Sequence, residues 1–284
     1  MEDTTFQDAA LILVAHGSTK DGDSCGPAYL QGETLRRRGV FAEVIEAFVQ
    51  QEPSVTGALR RVFSPRVFVV PLFVADGWFT EVVVPVEMGL RAPEAQTWER
   101  VVGMGGRRVH YARAVGSHPA MTEVLRARAR EVVARHPMPR APEPSATALV
   151  VAGHGTSYSP ASREAIEQQV TLLRRAGEYA EVHAVFIEEA PLVGEVWDVV
   201  QTKDIVLVPF FISDGLHVAE DIPVMLGESA ERVSERREAG VSGWRNPTER
   251  SGKRLWLARA LGTEPLLAEV ILERAREVAA AGGV

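Results

Sequence analysis

Ile205-Val-Leu-Val-Pro-Phe-Phe-Ile-Ser-Asp-Gly-Leu-His-Val-Ala-Glu-Asp-Ile-Pro-Val-Met-Leu226 is the stretch from which the rest of the chain can be read. Its first half is an apolar run broken only by Pro209. It ends in Ser213-Asp214-Gly215, after which His217, Glu220 and Asp221 arrive together. A buried strand that empties into a loop loaded with ligand-type side chains reads as a site. In open α/β sheets, ligands collect where strands deliver their C-terminal loops. A second histidine, His154, closes another apolar run in Val150-Val-Ala-Gly-His-Gly-Thr156. These two loops are expected to meet.

Outward from this stretch the chain repeats itself. Leu11-Ile-Leu-Val-Ala-His16 lines up with Leu149-Val-Val-Ala-Gly-His154, an offset of 138. The same offset pairs Gly39 with Gly177, Phe48 with Phe186, Pro53 with Pro191, Val70-Pro71 with Val208-Pro209, Asp76-Gly77 with Asp214-Gly215, and Val84-Pro85-Val86 with Ile222-Pro223-Val224. The offset then becomes 146, pairing Ala112-Arg-Ala-Val-Gly-Ser-His-Pro119 with Ala258-Arg-Ala-Leu-Gly-Thr-Glu-Pro265. The second copy therefore carries extra residues, placed within Glu228 to Ser251.

The expected division is a first module over 1–135, a proline-rich linker over 136–146, whose spaced prolines favour an extended chain, and a second module over 147–284. Each copy runs strand, helix, strand, helix, strand, loop, helix, strand, helix. In the first copy the strands fall near Ala10 to Ala15, Glu43 to Val49, Val67 to Val74 and Arg108 to Ala112, and helices cover Ala28 to Arg38, Ser54 to Phe63, a start near Val84 or Pro85, and Pro119 to Ala134. Alternation of this kind implies parallel sheets covered on both faces. The expected fold is α/β, two tandem Rossmann-like or flavodoxin-like domains facing a central cleft, where a ligand would sit.

Composition narrows the function classes. The chain has 284 residues, 46% hydrophobic and 24% charged, the profile of a globular protein with a sizeable core. A net charge of −7 and the lack of a basic run interleaved with aromatics argue against nucleic acid. Cys25 is the single cysteine, so any metal must be held by His, Asp or Glu. No apolar run approaches the ~18 residues of a membrane span and the acidic start is no signal peptide; residence is expected in the cytoplasm, without membrane contact.

The two copies differ in one direction at the site positions. His217 is matched by Phe79, Glu188 by Gln50, Glu220 by Val82 and Asp221 by Val83; only His154 keeps its counterpart, His16. Chemistry is therefore expected in the second module. Plainer roles stand beside these. His16 reads as a structural strand-end histidine, and Asp221 as a first-turn acid favouring the N-terminus of the helix that follows. His183 reads as a satisfied core or edge residue, His118 as a helix cap, and Trp197 as packing. Glu220 could serve as first-turn acid or site carboxylate, and Trp78 and Phe79 as core or as an aromatic wall against a ligand.

The His-Gly-Ser/Thr loop, Phe186-Ile-Glu188 ahead of Pro191, Val208-Pro-Phe-Phe followed by Gly215-Leu-His217, Asp221-Ile-Pro223, and Leu261-Gly-Thr-Glu-Pro265 together resemble the sirohydrochlorin chelatases of the CbiX type, over nearly the whole chain and as two modules. The resemblance implies insertion of Co2+ or Fe2+ into sirohydrochlorin without ATP, in cobalamin or siroheme synthesis. It places the metal-handling histidines at His154 and His217 and the glutamate at Glu188. Phe79 and Gln50 depart from the pattern, leaving one active site per chain.

The chemistry supports that placement. Metallating a tetrapyrrole requires two pyrrole protons to leave while the cation sheds water. Neutral imidazoles bind borderline divalent cations and accept protons near neutral pH. His154 and His217 are thus expected to deliver the metal, Glu188 to assist deprotonation, and Glu220 to stand as a weaker carboxylate. The metal, Co2+ or Fe2+ with Ni2+ as a third candidate, is a substrate, and no organic cofactor is expected. Because a carboxylate-rich macrocycle opposes an acidic protein, local donors must bind it, and Thr156 and Ser157 at a helix start are the expected ones. Three other readings stay open: protoporphyrin ferrochelatase, a non-catalytic tetrapyrrole or metal carrier, and a histidine phosphatase. The last wants Arg just before the histidine, where Ala15 and Gly153 stand. A monomer with an internal pseudo-dimer is expected, with a homodimer as the alternative.

Overall fold

The computed structural model describes residues 6–18, 22–137, 139–155 and 160–282. The first copy runs β1 (Ala9–Ala15), α1 (Gly26–Arg38), β2 (Glu43–Phe48), α2 (Val55–Ala58), β3 (Arg66–Pro71), α3 (Val84–Glu87), β4 (Val101–Met104), β5 (Arg107–Tyr111) and α4 (Met121–Arg135). The second runs β6 (Thr147–Gly153), α5 (Ala161–Ala176), β7 (Glu181–Phe186), α6 (Val196–Val199), β8 (Asp204–Pro209), α7 (Ile222–Met225), α8 (Ala230–Glu238), β9 (Thr248–Arg250), β10 (Lys253–Leu257) and α9 (Leu267–Ala281).

Two sheets result, ordered β2-β1-β3-β5-β4 and β7-β6-β8-β10-β9. β1 and β6 occupy central positions and all seven residues of each are buried, as expected for strands covered on both faces. Around them, pairing is parallel; β4 on β5 and β9 on β10 are antiparallel edges, so the sheets are mixed rather than wholly parallel. Helices form where the apolar stripe has helical spacing. On α5 it is Ala165, Ile166, Val170 and Leu173, with the polar Gln169 buried beside them, and Gly177 ends the helix in the left-handed conformation with its N–H on the Arg174 carbonyl.

Three expectations change. The helix expected over Ser54 to Phe63 is a single turn followed by a 3-10 turn over Leu59–Arg61. The edge strands β4 and β9 are additions to the expected order, and neither carries an alternating apolar pattern that would mark it in the sequence. The helix expected from Val84 begins earlier, as a π-turn over Phe79–Val83, and its counterpart is a π-turn over His217–Asp221. In each, the N–H of the next residue reaches the carbonyl at the start of the turn, Val84 to Phe79 and Ile222 to His217. Pro85 and Pro223 follow directly and have no N–H to complete an α-helical ladder at that point.

By contacts the chain forms two compact units, Met1–His118 with Pro265–Val284, and Pro119–Glu264. The last helix of each repeat thus belongs to the unit built on the other repeat's sheet. In the first unit, α9 places Arg274 with Nε on the Ala114 carbonyl (3.0 Å) and a second nitrogen on Ser117 Oγ (2.8 Å). In the second, α4 places its repeat equivalent, Arg128, on Thr263 Oγ1. Each unit has its own apolar core, around Ile12, Val69 and Tyr111 in the first and Val150, Leu207 and Trp244 in the second. The second unit is one continuous segment and contains every polar site residue singled out above.

Candidate functional site

In the second unit β6 lies between β7 and β8, so the loops leaving these three strands open from neighbouring C-terminal ends, where the strand order reverses. β6 delivers His154. Gly155 follows with φ +64°, and a Cβ there would lie 2.6 Å from Glu189 Cγ, so the turn that presents the histidine requires glycine. The loop after β7 is tied to it: the N–H groups of Ile187 and Glu188 donate to the His154 carbonyl at 3.1 and 3.0 Å. The loop after β8 is held by Asp214, which accepts from the Ala260 N–H at 2.6 Å and from Arg259 Nε at 2.9 Å. The π-turn then starts at His217.

The two imidazoles come together. Their ring centroids are 4.8 Å apart and the planes cross at 86°. His154 Nδ1 lies 2.7 Å from the Gly155 carbonyl, and His217 Nδ1 lies 2.6 Å from Asp221 Oδ2. Both partners are acceptors, so each Nδ1 carries a proton, and in the neutral ring Nε2 is then the nitrogen with the lone pair. Metal–nitrogen bonds of about 2.1 Å allow two such rings to share one ion in adjacent coordination positions at roughly this separation. Glu188 Oε2 is 3.6 Å from His154 Nδ1, beyond a hydrogen bond but within ion-pair range, and half its side chain is exposed. Among the described residues no group of three or more His, Cys, Asp or Glu side chains is arranged to hold a metal.

Other candidates fall elsewhere. Glu220 pairs with Arg237 of α8 rather than joining the histidines. Thr156 and Ser157 lie outside the described residues. Asp221 makes no capping hydrogen bond to α7 but contacts His217, so the first-turn role expected of it is replaced by a contact in the site. The spacing His217-x-x-x-Asp221 could have signalled this. His183 pairs with Glu181 at 2.8 Å, and Trp197 is buried with Nε1–H on the Leu226 carbonyl, both structural as expected. His118 stands 3.3 Å from Glu277 and ends a 3-10 turn instead of capping α4.

The first unit shows the same scaffold with apolar fittings. His16 faces Phe79 at 4.6 Å between centroids, Phe73 stacks on Phe79 at 6.2 Å, and Trp78 meets Phe79 edge-on at 5.1 Å. Trp78 is 64% exposed and so is not core. Asp76 repeats the loop anchor of Asp214, accepting from the Ala114 N–H, Ser117 and Arg113. Burial pushes its carboxyl up, but these three donors outweigh burial and hold it below the usual carboxylate range.

The CbiX family model matches residues 10–132 and again 148–278. A protein of Halobacterium salinarum named probable sirohydrochlorin cobaltochelatase is 38% identical over 96% of this chain and 93% of its own length. A multi-domain protein of Deinococcus radiodurans, described as having structural similarity to chelatases and two additional novel domains, is 31% identical with a TM-score of 0.77 over 95% of this chain; the chain spans 55% of that protein. SirB from Bacillus subtilis with Fe3+, 19% identical, shares the fold with a TM-score of 0.68 over 97% of both chains. No helix among the described residues is long and apolar enough to cross a membrane.

Proposed function

The chain belongs to the CbiX family, and from that membership we propose that it is a sirohydrochlorin chelatase, inserting Co2+ or Fe2+ into the macrocycle without ATP. The observation that carries the reading is the convergence of His154 and His217, each with Nε2 as the lone-pair nitrogen. The name of the Halobacterium relative favours cobalt as the metal.

On this reading His154 and His217 take the hydrated cation through Nε2. Two neutral donors leave most of its coordination shell to water, so the ion is held loosely and can be passed on. As it enters the ring, two pyrrole N–H bonds break and two metal–nitrogen bonds replace them. One proton goes to Glu188 and out to solvent along its exposed half; the other goes to an imidazole released by the departing metal. Thr156 and Ser157 donate to substrate carboxylates. The protein works in the cytoplasm as a monomer, with the metal as substrate and no organic cofactor.

The test is spectrophotometric metallation of sirohydrochlorin with Co2+, Fe2+ and Ni2+. His154→Ala and His217→Ala should each slow it by about 10²-fold or more, with His16→Ala within about a factor of two of wild type. Full activity in both second-unit variants, or faster metallation of protoporphyrin than of sirohydrochlorin, would refute the proposal.

A further inference from the structure

Asp221 lies one turn after His217, and its carboxylate meets Nδ1 of that ring at 2.6 Å, the one hydrogen bond from a described residue that the imidazole makes. A carboxylate can only accept, so the contact selects the Nδ1–H tautomer and leaves the Nε2 lone pair outward, on the ring that stands 4.8 Å from His154. We propose that Asp221 is a positioning residue for metal transfer: it fixes the tautomer and orientation of His217 so that Nε2 is presented to the cation. This rests on His217 being a metal ligand.

The duplication separates this role from support of the helix. The first unit builds the same π-turn over Phe79–Val83, running into the same short helix, with Val83 in place of Asp221 and no loss of the turn. The acid is therefore not needed to form the π-turn or to start the helix, and in the second unit it makes no capping bond. Where the ring at the head of the turn is Phe79, which has no nitrogen to orient, the acid is absent as well. His154 needs no such partner, because the Gly155 carbonyl performs the same service from the backbone at 2.7 Å. His217 has no carbonyl so placed among the described residues. With 46% of its side chain exposed, it would otherwise be free to turn and to exchange tautomers.

Carboxylates that orient a metal-binding histidine are worth about 10–100-fold in metal affinity. The experiment uses the full chain at pH 8 without tetrapyrrole, comparing wild type, Asp221→Ala, Asp221→Asn and His217→Ala. Long-range proton–nitrogen NMR of the His217 ring reads the tautomer, and titration with Co2+ reads affinity. Wild type should show Nδ1–H. Asp221→Ala should move the ring toward Nε2–H and weaken Co2+ binding by about 10–100-fold. Asp221→Asn, whose amide oxygen still accepts, should keep the tautomer and most of the affinity. An unchanged tautomer in Asp221→Ala, with Co2+ affinity within about a factor of two, would overturn the proposal. If His217→Ala itself leaves Co2+ affinity unchanged, the ligand reading fails separately, and the tautomer measurement still decides whether Asp221 orients the ring.

Discussion

A segment from Pro119 to Glu264 should fold by itself, whereas a segment from Thr147 to Glu264 should not. The two differ by α4 and the linker, which the repeat assigns to the first module and contacts assign to the second unit. In α4, Met121, Val124, Leu125 and Val132 are buried or nearly so, and Ala129 and Arg128 lie with them. Four large apolar side chains at about 1.5–3 kcal/mol each amount to roughly 6–12 kcal/mol, an upper bound because the unfolded chain already shields some of that surface. Domain stability is itself only about 5–15 kcal/mol. Losing α4 also strips Thr263 of its bond to Arg128 and bares the face of β8 and β10. Urea unfolding followed by circular dichroism checks this: the longer segment should show one cooperative transition, and the shorter should be unfolded or aggregated at zero denaturant. A cooperative transition at the same midpoint in both would show that α4 contributes nothing to the sheet it covers.

Three further outcomes are expected. His110 is fully buried and stacked on Phe68 at 4.7 Å, and burial lowers its pKa from the usual value near 6.5. The unfolded chain then binds the extra proton first, so this contribution to stability is complete above pH 6.5 and is lost as pH falls through 6.5 toward the lower folded value. His110→Phe should flatten the pH dependence of the urea midpoint in that window, and an unchanged slope would contradict the assignment. Glu220→Gln should leave metallation within about a factor of two and cost less than about 1 kcal/mol, since it breaks a half-exposed ion pair with Arg237, whereas Glu188→Gln should slow metallation by on the order of 10²-fold.

The repeat was legible because strand ends, loop glycines and prolines recur in register, and with it came the two sheets and the strands that deliver His154, Glu188 and His217. Helix exchange was not legible. Arg128 and Arg274 are equivalent positions on equivalent helices, so either helix could be read onto either sheet, and only long-range contacts decide. The π-turns were hidden because Pro85 and Pro223 look like ordinary first-turn prolines. Once the turn begins at His217 rather than at Ile222, Asp221 falls one turn from the imidazole instead of at the head of a helix. The ion pair of Glu220 with Arg237 is not legible in the sequence for a related reason: Arg237 stands on α8, in the region where the two copies lose register.

Two imidazoles sharing one ion is the claim everything else depends on, and crystals of the full chain soaked in Co2+ test it most directly. An anomalous difference map should show one cobalt peak in the second unit, at about 2.1 Å from Nε2 of both His154 and His217, and the peak should vanish in His217→Ala. Cobalt bound by only one of the two rings, or by neither, would contradict the account.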